Sequence, residues 1–147
     1  MSEPNESLYR GLQSTFAAEA ANVQRYAFFA QIAEIEGHGD TSRLFRELAD
    51  SLAVAAQGHM DQLRNVADPA TRLPIGGTEQ NLAAALSGEL EESSGTYRAL
   101  AEEARSEEMP DLASWFETLI ALKRAHVARL ERALDALHAA TSPTEPR

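Results

Sequence analysis

LYRGLQSTFAAEAANVQRYAFFAQIAEIEGHGDTSRLFRELADSLAVAAQGHMDQLRNV, residues 8–66, decides the fold class. Leu8, Leu12, Phe16, Val23, Tyr26, Ala30 and Ala33 recur at helical spacing and form one apolar stripe. Gly37-His38-Gly39 interrupts the pattern. Asp40 or Thr41 is then placed to cap a second helix. Its inner stripe would run through Leu44, Leu48, Leu52, Ala55, His59, Leu63 and Val66.

Working outward, Asp68 to Gly77 carries two prolines and two glycines and reads as a long crossover. Thr78 suits the N-cap of a third helix, with Leu82, Leu86, Leu100 and Ala104 facing inward. Pro110 suits the first turn of a fourth helix. That helix carries Leu112, Phe116, Leu119, Leu122, Leu130, Leu134 and Leu137. The expectation is an all-α protein, a four-helix bundle over residues 8–140 with the long crossover between helices two and three. Residues 1–7 and the two-proline tail 141–147 are expected to be disordered.

Composition narrows the chemistry. At 147 residues the chain fits one domain with one helical core. There is no cysteine, which excludes disulfides, thiolate metal sites and a cysteine nucleophile. A net charge of -10 argues against nucleic acid or an anionic membrane as partner. The longest apolar stretches, Tyr26–Ala30 among them, are far too short to span a bilayer. The polar, acidic N-terminus is unlike a signal peptide. A cytoplasmic protein is expected.

The two halves read as one helical hairpin written twice. Glu36 to Phe45 and Glu107 to Phe116 are both 9 residues, and Phe45 to Ala55 and Phe116 to His126 are both 10. Glu19 to Glu36 is 17, against 18 from Glu89 to Glu107. The repeat pairs Glu19 with Glu89, Leu52 with Lys123, and Ala55 with His126.

Ferritin-like carboxylate sites take one Glu from each of two helices and a Glu-x-x-His pair from each of the other two. Glu19 and Glu89 stand where the single glutamates would be, and Glu92 lies one turn beyond Glu89. The two pairs read Leu52-x-x-Ala55 and Lys123-x-x-His126. Several segments resemble the erythrin domain of the rubrerythrin family: Ala18-Glu19-Ala20, Tyr26, Phe29-Ala30, Glu36-Gly37, Leu44-Phe45, Gly88-Glu89, Glu92, Tyr97, Trp115-Phe116 and His126. The crossover Asp68-Pro69-Ala70-Thr71 with Leu73-Pro74-Ile75-Gly76 does so too. The resemblance covers Leu8 to about Leu137.

The resemblance implies a ferritin-like bundle holding two irons that reduce hydrogen peroxide, often supplied with electrons by a rubredoxin domain. A chain without cysteine is similar to the members that have no rubredoxin domain. Carried over position by position, Glu19, Glu89, Glu92 and His126 match metal ligands of the family. Leu52 and Lys123 take the places of the two bridging glutamates, and Ala55 that of the second histidine. Tyr26 and Tyr97 match tyrosines near the site. An ammonium at a bridging position repels a metal cation and can stand in for its charge beside the carboxylates.

Each residue also has a plainer reading. Glu19 or Glu92 alone would be an ordinary polar residue of a bundle, and His126 alone a satisfied core histidine. Lys123 could be a salt-bridge partner and no more. Tyr26 and Tyr97 are explained by packing, Trp115 as a core or dimer-interface aromatic, and His59 as a core or solvated histidine.

Three functions follow. In the leading one the di-iron site is dismantled and no cofactor is bound. The residual pocket then serves a small polar ligand: Glu92, Lys123 and His126 do acid/base and electrostatic work, while Glu19, Tyr26, Glu89 and Tyr97 bind. The second is an oxidoreductase with one iron or manganese ion at Glu89, Glu92 and His126, with Glu19 as a further ligand. The third is a non-catalytic subunit pairing with an intact homologue. That pairing would use the dimer surface of the family; otherwise a homodimer is expected.

Overall fold

A computed structural model describes residues 4–141. They are all-α, without strands among the described residues, as expected for the ferritin-like class. The chain divides into two compact units, Met1–Ala70 and Thr71–Arg147. The first is a hairpin of α1 (Glu6–Ile35) and α2 (Gly39–Leu63). The second packs α5 (Pro110–Thr141) against a helix that runs on from Thr78 to Ser106. That helix comprises α3 (Thr78–Glu91), a π-helical turn (Glu92–Thr96) and α4 (Tyr97–Ser106). Of the predicted termini, residues 1–3 and 142–147 lie outside the described residues, whereas Glu6, Ser7 and Thr141 are helical.

Local chemistry sets the helix ends, with some differences from the sequence reading. The Asn5 side chain caps α1 by accepting the Leu8 N–H at 2.9 Å. α2 starts at Gly39, ahead of both predicted caps, and His38 is its N-cap residue. Asp40 lies in the first turn, where its charge favours the positive helix end. α3 is preceded by Gly77, so Thr78 is its first helical residue. The N–H groups just ahead of it are met by side chains from inside the helix: Gly77 donates to Gln80 Oε1 at 3.3 Å and Gly76 to Asn81 Oδ1 at 2.8 Å. Pro110 opens α5 as expected.

The repeat is physical. Both hairpins turn through the same hydrogen bonds: Gly37 N to Glu34 O at 3.1 Å and His38 N to Ala33 O at 2.8 Å in the first. In the second, Glu108 N meets Arg105 O at 3.1 Å and Met109 N meets Ala104 O at 2.8 Å. This double bond pattern closes a helix on a left-handed residue. Gly37 supplies it at φ 85°, and Glu108 does so at φ 57°. Tyr26 and Phe45 have ring centroids 6.0 Å apart, as do their counterparts Tyr97 and Phe116.

A π turn closes i→i+5 and so takes up one residue more than the α-helical path. The unmatched residue, 18 against 17, lies between Glu89 and Tyr97, where this turn is. Its sequence, Ser93-Ser94-Gly95-Thr96, is poor in helix formers. The Ser93 and Ser94 hydroxyls both donate to the Leu90 carbonyl, at 3.2 and 2.6 Å, competing with the regular ladder.

Small residues make the helix contacts. Ala30, Ala33, Ser42 and Ala49 are buried in the first unit, and Ala84, Ser93, Ala101, Ala104 and Ala113 in the second. Ser42 Oγ donates to the Ala30 carbonyl at 2.9 Å, so a buried hydroxyl is satisfied where the backbones approach. Leu63 of the predicted stripe is fully buried, whereas others flank these seams: Leu44 is 52 % exposed and Leu122 49 %. Trp115, at 56 %, is not a core residue either. The crossover is tied to α1 by the Tyr9 hydroxyl, which donates to the Asp68 carbonyl at 2.9 Å. No helix among the described residues is long and apolar enough to cross a membrane.

Candidate functional site

Five of the seven singled-out residues meet in the second unit. Glu89 near the end of α3 and Glu92 at the start of the π turn share a face at i, i+3 spacing, as do Lys123 and His126 on α5. Lys123 Nζ lies 2.6 Å from Glu92 Oε2 and 3.3 Å from Glu89 Oε2. His126 Nδ1 lies 3.2 Å from the same Glu89 oxygen. Tyr97 completes the cluster, its ring centroid 5.8 Å from the ammonium.

Glu19 and Tyr26 belong to the first unit. Tyr26 packs on Phe29 and Phe45 beneath the Arg25 guanidinium. Glu19 Oε2 is buried and has no hydrogen-bond partner among the described residues. Leu52 and Ala55, on α2, are half-buried and bring no ligand atom.

Lys123 is the electrostatic centre of the cluster. Its side chain is only 16 % exposed and that of Glu89 23 %. Burial by itself pulls the lysine pKa down. The hydrogen bond and charge of Glu92, joined by those of Glu89, outweigh burial and hold it above the ordinary lysine value. The side chain is therefore an ammonium at neutral pH, without the lone pair that nucleophilic or base chemistry needs.

Among the described residues no group of three or more His, Asp or Glu is arranged to hold a metal ion. Glu89 and Glu92 already face the Lys123 charge at hydrogen-bond distance, within the space a bridging cation would need. The residues of the second unit do not fit a metal in this arrangement.

What the cluster can do is move a proton. A carboxylate only accepts, so the hydrogen bond from His126 Nδ1–H to Glu89 fixes the proton on Nδ1. In the neutral ring the lone pair is then on Nε2. His126 and Glu89 line an open cavity of about 420 Å³ together with Ala85, Arg129, Leu130 and Ala133. Arg129 is the residue that sequence reasoning missed, because an exposed arginine on α5 reads as ordinary helix surface. Its signal was the spacing to His126, one turn away on the same face.

Comparison with known proteins agrees with this fold and sequence. A family model described as Rubrerythrin matches residues 80–147. The chain is 32 % identical over 122 residues to the rubrerythrin of Porphyromonas gingivalis, covering 80 % of this chain and 61 % of that protein. It is 29 % identical over 126 residues to Rubrerythrin-1 of Clostridium acetobutylicum and 31 % over 129 to the rubrerythrin of Clostridium perfringens. Each of these two alignments covers 80 % of this chain and 65 % of the relative. The chain thus spans less than two thirds of the length of the curated relatives it matches.

Proposed function

Because this chain belongs to the rubrerythrin family, we propose that it is a member whose di-iron site is dismantled and whose residual pocket handles a small polar molecule. The supporting observation is the Lys123 ammonium held between Glu92 and Glu89. It supplies to two carboxylates the positive charge that a bridging metal would supply. Leu52 and Ala55 stand where the family resemblance calls for two further ligands. The bundle then works without a bound metal.

In this reading His126 is the proton-transfer group. Glu89 accepts from Nδ1–H, which orients the ring and stabilises the imidazolium formed when Nε2 takes a proton. Lys123 is a positioning residue: it holds both carboxylates in place at hydrogen-bond distance. Glu92 spends its charge on Lys123 at 2.6 Å. The oxidoreductase alternative, one iron or manganese ion at Glu89, Glu92 and His126, requires Lys123 to leave the cluster first.

Metal content separates the two. The protein, purified untagged from iron- and manganese-supplemented cells, is assayed by inductively coupled plasma mass spectrometry. Substoichiometric metal that does not rise on reconstitution is the expected result. About one tightly held metal per chain, lost in His126→Ala, would overturn the proposal.

A further inference from the structure

We infer that the cavity beside Glu89 and His126 takes a small monocarboxylate with a compact hydrocarbon body, its carboxylate anchored by Arg129. The inference rests on the pocket reading above and names its ligand class.

Charge allocation comes first. Lys123 is committed to Glu92 and Glu89, and Glu89 also accepts from His126. Arg129 forms no ion pair among the described residues, yet it lines the same cavity. It is the uncommitted cation of that cavity. A guanidinium presents a planar fork of donors matched to a carboxylate.

The remaining wall sets the ligand's body. Ala85 on α3 with Leu130 and Ala133 on α5 are small or branched apolar groups without hydrogen-bonding capacity. They favour hydrocarbon over a polar ring or sugar. At about 420 Å³ the cavity is within the range of small-molecule sites. Residues one helical turn apart have Cβ atoms about 5–6 Å apart. A carboxylate on Arg129 therefore sets a carbon or hydroxyl a few bonds away before the free Nε2 of His126. A cationic ligand would lie against Glu89 but leave Arg129 unanswered, and a neutral one would use neither charge.

The test is an NMR titration of the full-length protein with three probes of one shape: 4-methylpentanoate, 4-methylpentanamide and 4-methylpentylamine. Saturable binding of 4-methylpentanoate is expected, with shifts centred on the resonances of Ala85, Glu89, His126 and Leu130. Arg129→Gln, at an exposed position, is expected to weaken it about tenfold, while Arg132→Gln leaves it unchanged. Equal binding of the amide, preference for the amine, or indifference to Arg129→Gln would each overturn the carboxylate assignment. So would the absence of binding by all three. If the carboxylate fails while metal stays substoichiometric, the ligand class alone is wrong; about one metal per chain would overturn the pocket reading itself.

Discussion

Glu34 on α1 and Arg105 on α4 hold the same place in their two hairpins with opposite charge. Arg46 donates across its hairpin to Glu34, and Arg105 donates across its own to Glu117. Each acid in one unit answers to a base in the other, so the cross-link survives while its polarity is reversed.

Both pairs are more than half exposed, and pairs of that kind are worth about 0.2–1 kcal/mol. Glu34→Arg is expected to lower stability by about that amount. Glu34→Arg with Arg46→Glu should restore most of the loss. Urea midpoints of the two single variants and the double variant measure the coupling. A double variant no better than the sum of the singles would show that the pair contributes nothing.

The two turns differ at the left-handed residue. Glu108 adopts φ 57°, the conformation that Gly37 provides at the equivalent place. A side chain in the left-handed region costs about 1–2 kcal/mol. Glu108→Gly recovers part of this cost and loses part to unfolded-chain entropy. A net gain of about 0.5 kcal/mol is expected in denaturant melts. Gly37→Ala should cost about 1 kcal/mol, although its Cβ would meet nothing within 4 Å.

Much of this organisation was legible in the sequence. Pro110, the Gly37 turn and the residue spacings marked the hairpins and their repetition. The Glu89, Lys123 and His126 positions could be read from i, i+3 spacing. The π turn could not, because its only trace was a one-residue difference that a loop would also explain. Serine and glycine there are cues for a turn, and nothing local says that the helix continues through it. The apolar periodicity was a partial guide to burial: Leu63, Ala30, Ala33 and Ala104 are buried, while Leu44 and Leu122 are about half exposed. The seams are set by alanines, which let backbones approach, so the bulkier residues stand to either side.

Deleting Gly95 tests the register that the π turn imposes. Removing one residue turns everything before it by about 100° relative to α4. Either Glu89 and Ala84 or Ala101 and Ala104 must then leave α5. A loss of more than about 2 kcal/mol is expected, with helical circular dichroism largely kept. Unchanged stability would mean that the turn is a passive defect.

Lys123→Met leaves two partly buried carboxylates without their counter-charge and is expected to cost about 1–3 kcal/mol. Adding Glu92→Gln should return more than half of it. The pH dependence has a definite sign. The folded pKa lies above the ordinary value of 10.5. The contribution is therefore fully present below pH 10.5 and is lost as pH rises through the folded value. The gap between the parent protein and Lys123→Met should be flat from neutral pH to about pH 10 and close above it. A gap that widens in that alkaline range would reverse the assignment.

Lys123→Glu removes the cation and adds a carboxylate to Glu89, Glu92 and His126. Metal content is expected to rise to about one per chain, with thermal stability then dependent on the metal supplied. A variant that stays metal-free would show that these four donors do not suffice for a metal.

An ion that joins a protein after synthesis can be withheld, exchanged or stripped away. The ammonium between Glu92 and Glu89 is bonded to the backbone by its own side chain. The electrostatic balance of that corner is thus set when the polypeptide is made. Chelation does not reach it, scarcity of iron does not delay it, and only a change of proton or of codon can take it away.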